Sequence, residues 1–593
     1  LASMLYLLHP IHTEVVANIK GRDEIMCMIL SFLTLLFSWK FWDSNAYKWL
    51  IYSFMAYFAA LMSKENSITF LAIIPLTAYI FRKENFSKIL TSMIPVLFAT
   101  AIFLLLRKTY TATGVNQESP EVLNNPWVYI TDSSQKYATI LHSYLMYFKL
   151  LIFPHPLTHD YYYNQIPYKN FSDPTVILSI LIHLGLFFVM VINLLKRNIV
   201  GFALAFYFIT FSIVSNIPFT VGIIMNERFV FISSLGFVLL LANRFLNADG
   251  KWKVSTQSMQ YAFIALICLY SLKSFTRNRA WKDNTTLFEN DINISTNSAK
   301  VATALGAHYL EIADSTSNTA DKQELLKKAQ DVLNHSIEIY PQNSGTYLLL
   351  GNAEFKMNSD FKKSIEYFRT AIKYRPEDYF DGFFNMAATF MNMNEFDSSH
   401  IYAQKAYLVN PAHPTTTKIL AFTYLAKGNL DSASVLYDKY QQLDKIILFK
   451  TEEEKMLFYA DNLKDHKQFD KALAMYNQIL NKNPQNAEAL FGKAIVLGKH
   501  LNQLQMSIPL FEAAIKIQPD NTAWMEDLAV AYGFTKQYAK TIPLLEKVIK
   551  ANPHYANAYM NLATSYSLLG DAEKANYYKK LAEEKKANSR MGL

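Results

Sequence analysis

Hydrophobic and polar positions fall into two regimes along this chain. From Leu1 to about Lys273, long apolar runs are broken by short polar segments; after Arg277 the sequence turns polar, helical in period and rich in lysine. A helix that crosses a bilayer needs about 20 mostly apolar residues. Runs near that length stand at 1–10, 24–42, 47–62, 66–81, 88–106, 175–195, 199–217, 227–246 and 259–274, and the pattern predicts a helix over each. The stretch 136–154 is also apolar but fits the series poorly.

Charge orders these runs. Short cytoplasmic loops collect Lys and Arg. Three clusters stand out: Arg82, Lys83 and Lys88; Lys196 and Arg197; Arg244, Lys251 and Lys253. If these face the cytoplasm, 107–174 begins and ends outside. The segment 136–154 is then expected to lie in, or dip into, the outer face; the alternative is a full span paired with another not counted. The same assignment puts "HPIHTEVVANIKGRDE", "SKENS", "FPHPLTHDYYY", "IMNERF" and everything after Phe275 on the outer face. The clustering of these polar segments was no input to the charge argument, and it points to a site at the outer membrane surface.

The polar half repeats itself. Pro341, Pro376 and Pro411 are 35 residues apart, and Pro484, Pro519 and Pro553 follow at spacings of 35 and 34. Between Pro411 and Pro484 lie two repeats with one indistinct member. Each proline closes a helix, as in "AIKYRPED" and "AIKIQPDN", because the residue before a proline avoids the α region. Small residues such as Ala371, Ala406 and Ala514 allow close helix approach, and Phe368, Tyr402 and Phe511 fall on the stripe expected to be core. This is the tetratricopeptide (TPR) pattern, a helix pair of about 34 residues. Seven or eight units are expected over 298–585. Such arrays present a concave face to peptides or protein surfaces.

The chain has 593 residues and a formal net charge of +8. Its basic residues flank apolar runs or scatter over the repeats, which argues against a nucleic-acid partner. The two cysteines, Cys27 and Cys268, each sit in an apolar run, so neither a disulfide framework nor a CxxC metal site is available. The expected fold class is therefore all-α: a polytopic membrane helical domain followed by a TPR solenoid. The divisions are 1–275 for the multispan domain, 276–297 for a junction, 298–585 for the repeats and 586–593 for a tail.

Five segments occur in a fixed order: "HPIHTEVVANIKGRDE", "SKEN", "FPHPLTHDYYY", "NERFVFISSLGF" and "RNRAWKDNTTLFE". With the repeat tail, they resemble the transmembrane-and-TPR O-mannosyltransferase family and its bacterial relatives over essentially the whole chain. The resemblance implies a GT-C glycosyltransferase fold and a lipid-phosphate-linked sugar donor, dolichyl-phosphate mannose in the eukaryotic members. It implies transfer to Ser or Thr hydroxyls of proteins, with the repeats recruiting the acceptor. Family members carry further helices before the HPxHTE segment, and an acidic motif in their first outward loop is taken as catalytic. Leu1 corresponds to a position within the third family helix, so the sequence is expected to be truncated at its N-terminus. No residue here is assigned as the general base, and this stretch alone is expected to be inactive.

Transfer from a polyprenyl phosphate needs a carboxylate to take the acceptor proton, cationic groups for the departing phosphate, and an apolar groove for the lipid. Arg suits the phosphate because its planar fork binds two oxygens. Arg228, beside Glu227, is the leading candidate; the alternative is an interface anchor paired with Glu227. Arg22 and Lys64 come next. His9, His12 and Glu14 contain good metal-ligand types, but Pro10 disturbs the helix between the histidines, and structural or substrate-positioning roles are preferred. A divalent metal suits such chemistry, yet no motif supports one, and no cofactor is called for beyond the donor itself. Asp160 could position sugar or acceptor hydroxyls, and Tyr161 and its neighbours could stack on a sugar, unless they form an ordinary interfacial belt. Asp23 and Glu24 could simply cap the next helix, and Lys64–Glu65 could be a surface pair.

Two further readings compete with the enzyme. One is a membrane-anchored TPR scaffold for envelope assembly, which needs only one anchor helix. The other is a transporter or polymerase, which would place charges or broken helices near mid-membrane. In every reading the partners are membrane lipid and proteins on the repeat surface. The repeats are expected to be extracytoplasmic: periplasmic in a bacterium, lumenal in the endoplasmic reticulum of a eukaryote.

Overall fold

The computed structural model describes residues 1–111, 122–123, 125–246, 256–357, 361–376 and 379–590. Lys251 and Lys253, which help to mark one basic loop, lie outside these. Every regular element among the described residues is helical, as the all-α reading requires. The chain divides into two compact units, Leu1–Tyr374 and Arg375–Leu593.

Four helices of the first unit are long and apolar enough to cross a membrane: Ile19–Ser44, Phe86–Thr109, Pro174–Leu195 and Gln257–Ala280. The first carries Asp23 and Glu24 in its opening turn, where acids meet the positive end of the helix dipole. It ends at Asn45 in the left-handed conformation.

Several expected spans are shorter, for local reasons. The run 227–246 yields a helix only from Ser234 to Leu246. Its start is taken by a 3-10 turn, Glu227–Val230, which the Asn226 side chain caps. The run 199–217 stops being helical after Ser212; Asn216 takes a positive φ of 63° and its amide donates to the Ile223 carbonyl at 3.0 Å. The run 66–81 breaks into a 3-10 turn, a helix Phe70–Thr77 containing Pro75, and a π turn. Proline supplies no N–H to the helical ladder.

The segment 136–154 forms the helix Ser133–Ile152. It is not among the four long apolar helices. Ile140, Tyr144, Tyr147 and Leu151 along its length join Leu157, Tyr161 and Val230 in one buried cluster. This cluster supports the loops that carry the candidate chemistry.

The repeats form eight helix pairs among the described residues. The pairs Ala299–Ser315 with Thr319–Ile339 and Ser344–Met357 with Phe361–Tyr374 fall in the first unit; six fall in the second. Ala371, Ala406 and Ala514 are fully buried, as are Phe368 and Phe511 to within a few per cent. Tyr402 is half-buried against the same core. The indistinct repeat is the pair Pro414–Ala426 with Leu430–Asp444, where no proline closes the second helix. Lys445 does so instead, in the left-handed conformation with φ 54°.

Candidate functional site

Short, irregular segments between the apolar helices build the site. His9 ends the first helix, and its Nδ1 accepts the Ile11 N–H at 3.3 Å, starting a 3-10 turn Pro10–His12 that leads into the short helix Thr13–Ala17. The chain then folds back tightly. A Cβ at Gly21 would strike the Val15 carbonyl, so this position has room only for glycine. The result is a short helix with Glu14 buried on it.

Glu14 meets Arg228, 214 residues away. The Arg228 backbone N–H donates to Glu14 Oε2 at 3.3 Å, and its Nη1 lies 3.4 Å from Oε1. Burial raises the Glu14 carboxyl to about 7, and Arg228, His159 and Asn226 keep it from rising further. Glu227 turns the other way. One of its oxygens accepts the Thr158 N–H at 2.7 Å and the Tyr161 hydroxyl at 2.8 Å. The Arg228–Glu227 pair considered from sequence is thus not formed; a 3-10 turn projects neighbouring side chains in different directions.

The loop around His159 is held by a second carboxylate. Asp291 lies on the helix Asn284–Ile292 and is fully buried. It accepts the backbone N–H of His159 at 2.8 Å, and its Oδ2 is 2.7 Å from His159 Nδ1. Arg277 grips both of its oxygens, at 2.5 and 2.8 Å. Burial alone would raise the Asp291 carboxyl, but Arg277 and His159 together hold it down at about 2. Asp160 follows in the same loop. Its Oδ1 accepts the Tyr162 N–H at 2.6 Å and the Ser298 hydroxyl at 3.2 Å, while burial raises its carboxyl.

These groups surround a cleft of about 580 Å³, walled by Glu14, Asp160, Tyr162, Arg228 and Lys300 with Lys20 at its edge. An apolar groove of about 520 Å³ runs beside it, lined by Tyr6, Val16, Ile25, Phe32 and Phe231. The two share one element. On the helix Thr13–Ala17, Glu14 and Ala17 face the cleft while Val16 faces the groove.

Of the residues singled out from sequence, Glu14, Arg228 and Asp160 meet in this cleft. Glu227 and Tyr161 lie behind it, buried and bonded to each other. Tyr161 therefore offers no free ring face, whereas Tyr162 lines the cleft. His9 and His12 do not line the cleft and bond to the surrounding frame, while His12 also borders the apolar groove. His9 Nε2 lies 3.0 Å from the Leu151 carbonyl, and His12 Nε2 lies 2.8 Å from Ser234 Oγ. Neither ring converges with Glu14 on a common point, and no group of three ligand-type side chains does so among the described residues. Arg22 and Lys64 do not line the cleft. Lys64 binds Asp23 at 3.0 Å and Glu24 at 2.8 Å, joining two helices, while Glu65 pairs with Arg107 at 3.4 Å. The supposed Lys64–Glu65 pair is thus replaced by two others.

Sequence reasoning missed His159, Arg277, Asp291 and Lys300. His159 stood inside a quoted motif, beside the tyrosine run that held Tyr162. Arg277 opens the quoted segment "RNRAWKDNTTLFE" and Asp291 follows it by two residues, and a basic residue closing an apolar helix was the one available signal. Lys300 sits among ordinary repeat residues and gives no signal.

Known proteins bear on this arrangement. The tetratricopeptide repeat family matches residues 460–522. Over 94% of this chain and 67% of its own length, the human protein O-mannosyl-transferase TMTC3 is 23% identical. The Caenorhabditis elegans protein O-mannosyl-transferase F38B6.6 is 28% identical over 51% of this chain and 42% of its own length. Human protein O-mannosyl-transferase TMTC4 is 24% identical over 54% and 47%. The chain thus spans between about two fifths and two thirds of these relatives' length. Among solved structures, YrrB, described as a TPR protein with an unusual peptide-binding site, aligns at 13% identity and TM-score 0.22 over 40% of this chain and 96% of its own.

Proposed function

We propose that this chain, homologous to the transmembrane-and-TPR protein O-mannosyl-transferases, belongs to a membrane-embedded glycosyltransferase. It moves a sugar, mannose in the simplest case, from a polyprenyl or dolichyl phosphate to Ser or Thr of an acceptor protein. One observation carries the reading: a cationic cleft and an apolar groove lie on two faces of the single helix Thr13–Ala17. A polyprenyl-phosphate sugar has that division, a charged head on an apolar tail.

In this reading Arg228 takes the donor phosphate. Its guanidinium is held loosely by Glu14, 3.4 Å away, and remains about a quarter exposed toward the cleft. As the sugar–phosphate bond breaks, negative charge gathers on the phosphate, and a fixed cation stabilises it more in the transition state than in the ground state. Asp160 and Tyr162 border the same space, where an acid and an aromatic face suit sugar hydroxyls and a sugar ring. Acceptor deprotonation is assigned to no residue of this chain. The repeats, on the extracytoplasmic side, bring the acceptor protein to the cleft.

The test is transfer by the full-length protein in membranes, with a labelled polyprenyl-phosphate mannose and endogenous acceptors. Label should reach protein, and Arg228→Ala should abolish it while the protein still inserts and folds. Absence of transfer by the wild type, with other polyprenyl-phosphate sugars also inert, would replace the enzyme with a scaffold.

A further inference from the structure

We propose that Lys300, presented by the first repeat helix, is a second binding residue for the donor phosphate, so that the repeat region completes the site. The inference rests on reading the cleft as the donor site. Lys300 lies in the first turn of Ala299–Ser315, beyond the membrane helices in sequence, yet it lines the same cleft as Arg228.

Its position is well determined. The loop 158–165 and the start of the repeat helix are joined by two backbone hydrogen bonds, Asn164 N–H to the Asn297 carbonyl at 2.8 Å and Ala299 N–H to the Tyr163 carbonyl at 3.0 Å. Ser298 adds its hydroxyl to Asp160, and Ser295 donates to the Asp160 carbonyl at 2.8 Å. The Lys300 ammonium then stands 3.6 Å from the centre of the Tyr162 ring. A cation over an aromatic face is attracted by the ring's electron cloud, which fixes its direction without neutralising its charge. Among the described residues, no carboxylate lies within ion-pair distance of it.

The surroundings favour an anion. Burial disfavours the charge on Lys300 and Asp160 favours it, while Lys20 and Arg228 oppose it, so its proton is held less firmly than usual. Four cations, Lys20, Arg228, Lys282 and Lys300, line the cleft with three carboxylates, Glu14, Asp160 and Asp283, of which Glu14 loses much of its charge near neutrality. Like charges so placed repel, and a bound phosphodiester relieves this. Two cations from opposite walls would also orient the phosphate, where one permits rotation.

The experiment measures binding of geranyl phosphate to the full-length protein in detergent, by the change in tryptophan fluorescence expected because Trp281 lines the cleft, for wild type, Lys300→Gln and Lys300→Arg. Lys300→Gln should raise Kd about tenfold, and Lys300→Arg should restore it, with equal Tm for all three showing intact folding. In membranes, the KM for the polyprenyl-phosphate donor should rise in parallel while kcat changes little. Unchanged Kd and KM in Lys300→Gln overturn the inference and leave Lys300 as a support for Tyr162, with the transferase reading intact. Lys300-dependent binding without sugar transfer from any donor keeps the anion site and sinks the transferase instead. Inorganic phosphate binding as tightly as geranyl phosphate overturns the assignment to a lipid headgroup.

Discussion

Arg277 and Asp291 form a two-pronged ion pair, 2.5 and 2.8 Å long, with both side chains almost wholly buried. It ties the long apolar helix Gln257–Ala280 to the helix Asn284–Ile292 that precedes the repeats. Removing one partner of a buried pair strands the other charge at a cost of about 3–5 kcal/mol. Asp291→Ala should therefore destabilise the first unit by that order, read as a Tm drop in detergent, whereas Lys282→Ala should not, because the Lys282 side chain is mostly exposed. Because the Asp291 carboxyl is held below its ordinary value, at about 2, its stabilisation is present above the ordinary 3.8 and is lost as pH falls through the folded value. The Tm difference between wild type and Asp291→Ala should stay constant from pH 8 to about 4 and shrink below that. A difference that fades between pH 8 and 6 would contradict the pairing.

Glu14 gives a pH dependence of the opposite sign. Its carboxyl sits above the ordinary value, at about 7. Its contribution to stability is thus full below the ordinary value of 4.5 and lost as pH rises through 7. The ionised carboxylate also competes with phosphate for Arg228. Between pH 6 and 8 the neutral fraction falls about tenfold, so donor affinity should weaken by up to about tenfold over that range. Glu14→Gln should flatten the profile and bind geranyl phosphate more tightly than wild type at pH 8. A variant that binds more weakly at pH 8 would show that Glu14 aids the anion rather than competes with it.

The repeat core offers a packing test. A Cβ at Gly306 would stand 2.5 Å from Leu333 Cγ, so the first repeat pair closes only because one partner has no side chain. Gly306→Val should cost about 1–3 kcal/mol by overpacking. The double variant Gly306→Val with Leu333→Ala should recover part of this, measured by urea denaturation followed by helical circular dichroism. If Gly306→Val alone is neutral, the helices approach less closely than described.

What the sequence disclosed follows from range. The repeats were legible because their signals are local: a proline every 34 or 35 residues, and alanine where helices touch. The indistinct repeat was obscured because no proline closes its second helix, and its left-handed C-cap is Lys445 rather than the glycine or asparagine that would have signalled it. Glu14, Arg228 and Asp160 were legible as polar residues in otherwise apolar company. Their partners were not. Asp291 reaches His159 across 132 residues, and no periodicity encodes such a contact. The Arg228–Glu227 pairing failed for a related reason. Adjacent residues in a 3-10 turn diverge, and buried Glu227 found Thr158 and Tyr161 instead.

The orientation deduced from the basic loops can be tested at one exposed position. Ser317 lies in the turn between the two helices of the first repeat and is open to solvent. Cys27 is buried, and Cys268 lies on an apolar helix, so a Cys268→Ser background leaves Ser317→Cys as the one reactive thiol. A membrane-impermeant maleimide should label this variant from the extracytoplasmic side of intact cells or, for an endoplasmic-reticulum protein, only after the vesicles are opened. Labelling from the cytoplasmic side would invert every loop at once. It would put the cleft, and with it the donor headgroup, on the face where Arg82 and Lys196 were expected, and the basic clusters would then have to be explained as lipid contacts rather than as topology signals.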